Sequence, residues 1–330
     1  MHQLRILVAR ILVVFVSLGC LAVTPTSAQD GFPSKPITMV VPFGAGGALD
    51  LIARVLADGL RNELGQTVIV DNKPGASGHL AMRLVAGAAP DGYTIILSSE
   101  SNHILLPLLD GKFPLDVSKE FVPISLSGQF QHTLIVKKDL PVTSVKELVD
   151  YLRANPGKLS FGSSGVGTQA HIAGEFLSLV TQSKLVHVPY RSSPAALNDL
   201  LGGNLDVNFQ SMPAVRTYVD SPRLRMLAVL SAERLKELPA VPTMAESGFP
   251  DFVLSSWMGI FAPAGLPPDI RRRLSDALVK IGSNPELQER IRATGIEPVG
   301  SDAATFTRFV DAEEKKWKTF VDRTGIKLNP

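Results

Sequence analysis

The chain has 330 residues, with 33 lysines and arginines against 31 aspartates and glutamates and a single cysteine. A balance so near neutral, with no basic block, argues against nucleic acid or an anionic membrane surface as the main partner. One cysteine excludes an internal disulfide framework and a cysteine-built metal site.

Residues 1–10 carry two arginines and no acid, residues 11–23 are apolar or small, and Thr26-Ser27-Ala28 offers small residues to a signal peptidase. This is the three-part pattern of a secretory leader. The apolar stretch is shorter than the ~20 residues of a membrane span. Residues 1–28 are therefore read as a signal peptide cleaved near Ala28, and the mature chain as periplasmic. A retained anchor is the alternative. Cys20 follows Ser17-Leu18-Gly19, a poor lipoprotein box because Ser17 stands where leucine is expected, and its lipidation is left open. Removal of Arg5 and Arg10 brings the basic residues to 31, equal to the acidic ones. The remaining chain is long for one core and fits two domains.

Short β runs alternate with amphipathic segments, the pattern of an open, largely parallel sheet with helices on both faces. Residues 37–42 read as a strand. Residues 50–64 read as a helix, with Leu51, Ile52, Val55, Leu56 and Leu60 at helical spacing. Residues 68–70 are the next strand. After the Asn72-Lys73-Pro74-Gly75 turn comes a helix over 80–88, stopped by Pro90-Asp91-Gly92, and then a strand over 93–97. These five elements make half of a doubly wound domain.

A second series starts near His103. It predicts strands over 133–137, 158–161, 185–189 and 205–209. Its helices cover 144–154, 168–180 and 193–201, the first opened by the capping box Ser144-Val145-Lys146-Glu147. Near residues 224–230 the chain is expected to return to the first domain. A strand over 257–261 and helices over 268–281, 285–293 and 303–323 close the molecule. The expected division is 29–101 with 224–330 as one domain and 102–223 as the other, with a ligand cleft between them. The fold class is α/β: two doubly wound domains joined by crossover strands, like a type II periplasmic binding protein.

Two strand-to-helix junctions are rich in glycine: Val41-Pro42-Phe43-Gly44-Ala45-Gly46-Gly47-Ala48-Leu49-Asp50 and Phe161-Gly162-Ser163-Ser164-Gly165-Val166-Gly167-Thr168. Glycine lets backbone approach a ligand and take positive φ. The first-turn N–H groups and the macrodipole favour an anion, and ligands of open α/β sheets lie beyond the carboxyl ends of the strands. Either loop alone reads equally as a plain turn; one in each expected domain points to a shared anion site. Asp50 and Thr168 read as helix caps, with Asp50 also able to orient its loop from behind. Neither loop fits Gly-x-x-x-x-Gly-Lys-Ser/Thr or Gly-x-Gly-x-x-Gly, so no nucleotide site is expected. Val166 breaks Gly-x-Ser-x-Gly, so a nucleophile elbow is not supported.

These loops and the phrases that follow resemble the tripartite tricarboxylate transporter receptor family, the Bug-type extracytoplasmic solute receptors. The matching phrases include Asp71-Asn72-Lys73-Pro74-Gly75-Ala76, Ala89-Pro90-Asp91-Gly92-Tyr93-Thr94, Asn155-Pro156-Gly157-Lys158-Leu159, His187-Val188-Pro189-Tyr190-Arg191, Leu200-Leu201-Gly202-Gly203 and Ala262-Pro263-Ala264-Gly265. Each is weak alone; their number and order make the match specific. The resemblance implies a periplasmic receptor serving a transporter whose membrane subunits are separate chains. It implies a small carboxylate held by backbone groups of the two loops. That carries onto Phe43, Gly44, Ala45, Gly46, Gly47 and Ala48, and onto Ser163, Ser164, Gly165, Gly167, Thr168 and Gln169. Asp206 matches a frequent acid of the family near the cleft. Ser99-Glu100-Ser101-Asn102-His103, at the expected first crossover, and Gln129-Phe130-Gln131-His132 depart from the family's usual residues. They read either as specificity residues or as surface variation. Arg191 reads as a carboxylate clamp or as a surface residue.

His79, His103, His132, His171 and His187 form no His-Glu-x-x-His, so neither metal nor cofactor is expected. His171 and Glu175, four apart on one helix, read as a packing or ion pair. Trp257 reads as a core ring. The expected activity is binding without catalysis, by a monomer that closes on its ligand. The alternatives are a receptor presenting the acid to a membrane sensor, and an enzyme using Ser163, Ser164 or Glu100. The second lacks an identifiable base–nucleophile pair.

Overall fold

The structure, a computed structural model, describes residues 31–110, 113 and 115–326. The leader, Cys20 and the cleavage position lie outside the described residues. The chain opens with β1 (Ile37–Val41), α1 (Ala48–Leu64), β2 (Val68–Asn72), α2 (His79–Ala86) and β3 (Thr94–Ser99). β1 is parallel to β2 on one side and to β3 on the other. Helix α1 stops at Gly65, whose φ of 71° closes the last turn with an N–H bond to the Arg61 carbonyl.

After two short helical turns comes β4 (Phe121–Lys137), then α3 (Val145–Ala154), β5 (Ser160–Ser163), α4 (Gln169–Thr181), β6 (Val186–Pro189), α5 (Ser193–Leu201), β7 (Val207–Ser211) and β8 (Leu224–Val229). The chain finishes with β9 (Ser255–Pro263), α6 (Pro268–Ser283), α7 (Pro285–Arg292), β10 (Glu297–Pro298) and α8 (Ala303–Thr324). The strands run β2-β1-β3-β9-β4-β7-β5-β6, with β8 and β10 also paired to β4. Two parallel groups, β2-β1-β3 and β7-β5-β6, are thus joined through the antiparallel strands β9 and β4.

β4 departs most from the sequence reading. It is 17 residues long, whereas the sequence marked only residues 133–137. The pairing with β9 slips between Pro123 and Ser125 and again between Leu126 and Gly128. Such bulges destroy the period-2 alternation that announces a strand. Ser125 and Ser127 are buried there, and the segment is braced from the far end of the chain: Leu126 donates its N–H to Ser301 Oγ at 3.0 Å, and its carbonyl accepts from Gly300 at 2.9 Å.

β4 changes partners along its length. Residues 121–131 pair with β9, and residues 132–137 with β7 and β8. We propose that the crossings lie later than the expected 102 and 224. Residues 121–131 stay with the first group, and β8 stays with the second; the chain rejoins the first group only at β9. We propose a division into two domains along these pairings.

The first apolar core lies between β1, β3, β9 and helices α1, α6 and α7, around Met39, Ile52, Leu60, Leu97, Ile260 and Leu278. On the other face a longer core runs from Met82 and Val85 through Trp257, Phe261 and Phe306 to Phe161, Phe209 and Leu148. Trp257 is a core ring, edge-on to Phe306 and Phe309. Gly259 sits mid-strand beneath Phe306. A Cβ added there would stand 2.1 Å from the Phe306 ring and 2.9 Å from the Ser125 carbonyl oxygen. Gly259→Ala should cost about 1–3 kcal/mol through overpacking, read as a lower urea midpoint at unchanged slope. An unchanged midpoint would mean that β9 and α8 do not pack this way.

Candidate ligand-binding cleft

The carboxyl ends of β1, β3, β5, β6 and β7 face one cleft, where an open α/β sheet places its ligands. The interior space is about 50 Å³. A water needs roughly 10–15 Å³ on that measure, so there is room for a few waters or the head group of a small acid. Phe43, Gly44, Gly47 and Ala48 of the first glycine loop line it, with Ser164, Thr168 and Gln169 of the second and Ser99, Glu100 and His132 from the strands between. Ala45, Gly46, Ser163, Gly165 and Gly167 do not line it.

The non-lining loop residues hold the loops in shape. Gly46, at φ 80°, donates its N–H to Asp50 Oδ2 at 2.9 Å. Asp50 is gripped from behind by Arg54 at 3.1 and 2.9 Å. Burial pushes the Asp50 carboxyl up, but bonds from Arg54, Gly46 and Asn72 outweigh it and hold the group below its usual range. Asn72 also binds the Phe43 carbonyl at 3.0 Å. Asp50 therefore orients the loop and does not cap the helix, whose N-cap is Gly47. In the second loop Ser163 Oγ takes the Gly165 N–H at 3.1 Å and lies 2.6 Å from His187 Nε2. Thr168 Oγ1 donates to the Gly165 carbonyl at 2.7 Å, and the Gly167 N–H bonds to His171 Nδ1 at 3.1 Å. Burial, aided by His171, pushes His187 down to about 3, so that ring is neutral. Ser163 and His187 make the base–nucleophile pair the sequence did not show. Yet Ser163 is 1 % exposed and outside the cleft lining, so the pair fastens the loop. His171, fully buried, stacks on His187 at 3.8 Å and lies 3.5 Å from Glu175.

The glycines have a second use. A Cβ on Gly44 would meet Ser192 Cβ at 3.2 Å, and one on Gly46 would meet Pro194 at 3.7 Å. A Cβ on Gly165 would lie 2.6 Å from Ser77 Oγ, and one on Gly167 would lie 2.6 Å from Leu106. Each loop is seated against the opposite group of elements, so the cleft is shut. Gln169 completes the seam. Its N–H bonds to Ser101 Oγ at 3.2 Å, its Nε2 to the Ser255 carbonyl at 2.8 Å, and its Oε1 takes the Ser256 hydroxyl at 2.5 Å.

Two sequence candidates lie elsewhere. Asp206 accepts from the Ser160 N–H at 2.8 Å and pairs with Lys137 at 2.6 Å. It precedes β7 at the amino ends of β5 and β7, opposite the cleft. Arg191 is exposed, and its side chain does not line the cleft. Ser101 and Phe130, in the two segments that the sequence marked as departing from the family, line it too; the sequence reading missed Ser192, Ser193, Ser211 and Ser256. Ser192 caps α5; this third strand-to-helix junction was legible as Ser192-Ser193-Pro194 but carries no glycine. Three helix N-termini therefore meet at the cleft, with, among the described residues, seven serines and no lysine or arginine in its wall. Glu100 is 1 % exposed. Its Oε2 takes the Trp257 N–H at 3.0 Å, and its Oε1 lies 2.8 Å from Ser256 Oγ. Burial pushes its carboxyl up to about 7 against the pull of those bonds. Among the described residues no cluster of His, Cys, Asp and Glu could hold a metal ion, and no helix is long and apolar enough to cross a membrane.

A shut cleft between two α/β halves, walled by helix N-termini, defines a solute-binding protein. The family model described as the tripartite tricarboxylate transporter family receptor matches residues 52–326. Protein BugT of Bordetella pertussis is 38% identical over 320 residues, covering 96% of this chain and 96% of its own. The periplasmic binding protein BugD superposes with a TM-score of 0.84 at 33% identity, over 90% of this chain and 99% of its own. A Rhodopseudomonas palustris protein, Rpa4515 with adipate, gives 0.85 at 32% identity, over 90% and 99%. The chain belongs to the tripartite tricarboxylate transporter receptor family and has the periplasmic binding protein fold. Its relatives are substrate-binding receptors, not enzymes.

The seam generates a test. Gly165 has φ 130° and faces Ser77, so Gly165→Val should leave a folded protein that cannot shut. Circular dichroism should match wild type, while small-angle scattering gives a larger radius of gyration. An unchanged radius would show that Ser77 and Gly165 do not set the closed approach.

Proposed function

We propose that the protein is an exported periplasmic receptor. It captures a small carboxylate between its two halves and delivers it to the membrane subunits of a tripartite tricarboxylate-type transporter, acting as a monomer without cofactor. The observation that carries this reading is the cleft wall. Three helix N-termini and seven serines converge on it, and no cationic side chain lines it. An anion there is met by first-turn N–H groups, hydroxyls and helix dipoles. A carboxylate suits such donors, and the adipate bound by the similar Rpa4515 is of that class. The residues proposed to contact it are Phe43, Gly44, Gly47, Ala48, Ser164, Thr168, Gln169, Ser192 and Ser193. Closing on ligand requires better contacts in the shut state; Gln169, which reaches both the cleft and the opposite wall, supplies them. Phe43 and Phe130 are apolar side chains of the wall against which the body of the acid would pack.

Adipate should raise the melting temperature, while its dimethyl ester should not. Ligand bound only by the native state contributes about 2.7 kcal/mol at a hundredfold excess over Kd. Equal shifts from acid and ester would sink the carboxylate reading.

A further inference from the structure

We propose that the shut receptor holds Glu100 as the neutral acid, so that closing takes up a proton and ligand affinity falls as pH rises toward neutrality. This rests on the receptor reading above and names a regulation of the same site.

The argument is a count of protons around one oxygen. Ser256 Oγ has three polar neighbours: Gln169 Oε1 at 2.5 Å, Glu100 Oε1 at 2.8 Å and His132 Nε2 at 2.8 Å. A hydroxyl has one proton to give and two lone pairs to receive. Gln169 is fixed by its Nε2 bond to the Ser255 carbonyl, so the oxygen it turns to Ser256 can only accept. The Ser256 proton therefore goes to Gln169. Glu100 Oε1 then lies at hydrogen-bond distance from an oxygen with no proton left, and must itself donate. Its other oxygen accepts the Trp257 N–H. His132 fills the last lone pair through Nε2–H, which leaves Nδ1 bare. Nδ1 is indeed buried and without a hydrogen-bond partner.

The surrounding charges agree. Glu313 of α8, held by Trp257 Nε1 and Lys316, repels a charge on Glu100. His132 is neutral, because burial pushes it down to about 4. Asp50, also in the cleft wall, is paired with Arg54. No lysine or arginine of the wall offers Glu100 a counter-charge. Gln169 belongs to α4, in the opposite group of strands and helices. Withdraw it, and Ser256 is free to donate to an ionised Glu100. The proton is thus tied to closure. Closing is favoured while Glu100 keeps the proton and loses that support as pH rises toward the shut-state midpoint. A second ligand carboxylate meets a neutral acid below the midpoint and an anion above it.

An infrared titration of the protein saturated with adipate, which holds the shut state, tests this directly. The difference spectrum of wild type against Glu100→Gln should show a protonated-carboxyl band at pH 6 that fades with a midpoint near 7. Gln169→Ala should lower that midpoint by a unit or more; Gln169→Leu, closer in volume, serves if the alanine variant does not fold. Absence of the band at pH 6, or a midpoint unmoved by either Gln169 variant, overturns the proposal. Calorimetry with adipate from pH 5 to 8 adds the functional reading. Wild-type affinity should fall by up to tenfold per pH unit, the limit for one linked proton, as pH rises toward the shut-state midpoint, and level off above it, while the Glu100→Gln slope should be flat. Equal slopes overturn the link to binding. If adipate binds neither protein at any pH, the carboxylate reading fails instead, and the same titration without ligand decides the state of Glu100.

Discussion

At Gly165 the backbone comes so close to Ser77 that a methyl group there would stand 2.6 Å from the serine oxygen. Ser77 is itself in the left-handed region, at φ 55°, with its carbonyl held by Asn102 at 2.7 Å. The contact is repeated on the other side of the cleft, where Gly44 lies under Ser192. Two halves can be brought this near only where side chains are missing or very small. That requirement sets the glycines of both loops, the serines facing them and the small interior of the cleft. A larger residue at either contact holds the halves apart before any ligand can be enclosed.

The same requirement changes what the loops do for a ligand. The Gly46 N–H is spent on Asp50, the Gly165 N–H on Ser163 and the Gly167 N–H on His171. What faces the cleft is the beginnings of α1, α4 and α5 and the hydroxyls around them. Preorganised backbone donors suit a carboxylate well, because they need no reorientation and bring no mobile charge of their own. An arginine would bind an anion more tightly in the open state; helix ends in two opposing walls act together only when the walls meet. The charge-poor wall thus makes capture depend on closure.

Much of the architecture was legible in the sequence. The helices at Ala48–Leu64 and Ser193–Leu201 carry clear apolar periods and terminal signals, and the sequence reading placed them within two residues. The first half of β4 was illegible because its bulges bury Ser125 and Ser127 and break the alternation. At the site, glycine marked two of three junctions, and Ser192 went unread because a capping serine looks the same at any helix. Asp206 was misplaced because its strand was known but its end of the strand was not: the acid precedes β7 and the cleft follows it. The state of Glu100 depends on Ser256 and Gln169, 156 and 69 positions away, and no local pattern carries such information.

Glu100, Ser256, Gln169 and His132 also lie where the two halves exchange strands. Ser255 and Ser256 pair with Gln131 and Phe130 at the end of the β4–β9 ladder, and His132 is the first residue of β4 to pair with β7. A hinge must absorb its rotation where the two sheets join, and here the joining strands also carry the buried polar cluster. The hydrogen bonds around Ser256 are complete only with Gln169 in place. Opening removes one member and leaves Ser256 to choose between a carboxylate and solvent. Buried polar networks are costly when half satisfied, so the cluster favours two discrete arrangements over a continuum. A receptor that is read by a partner needs that property, since a gradual change of angle would present no distinct shape to recognise.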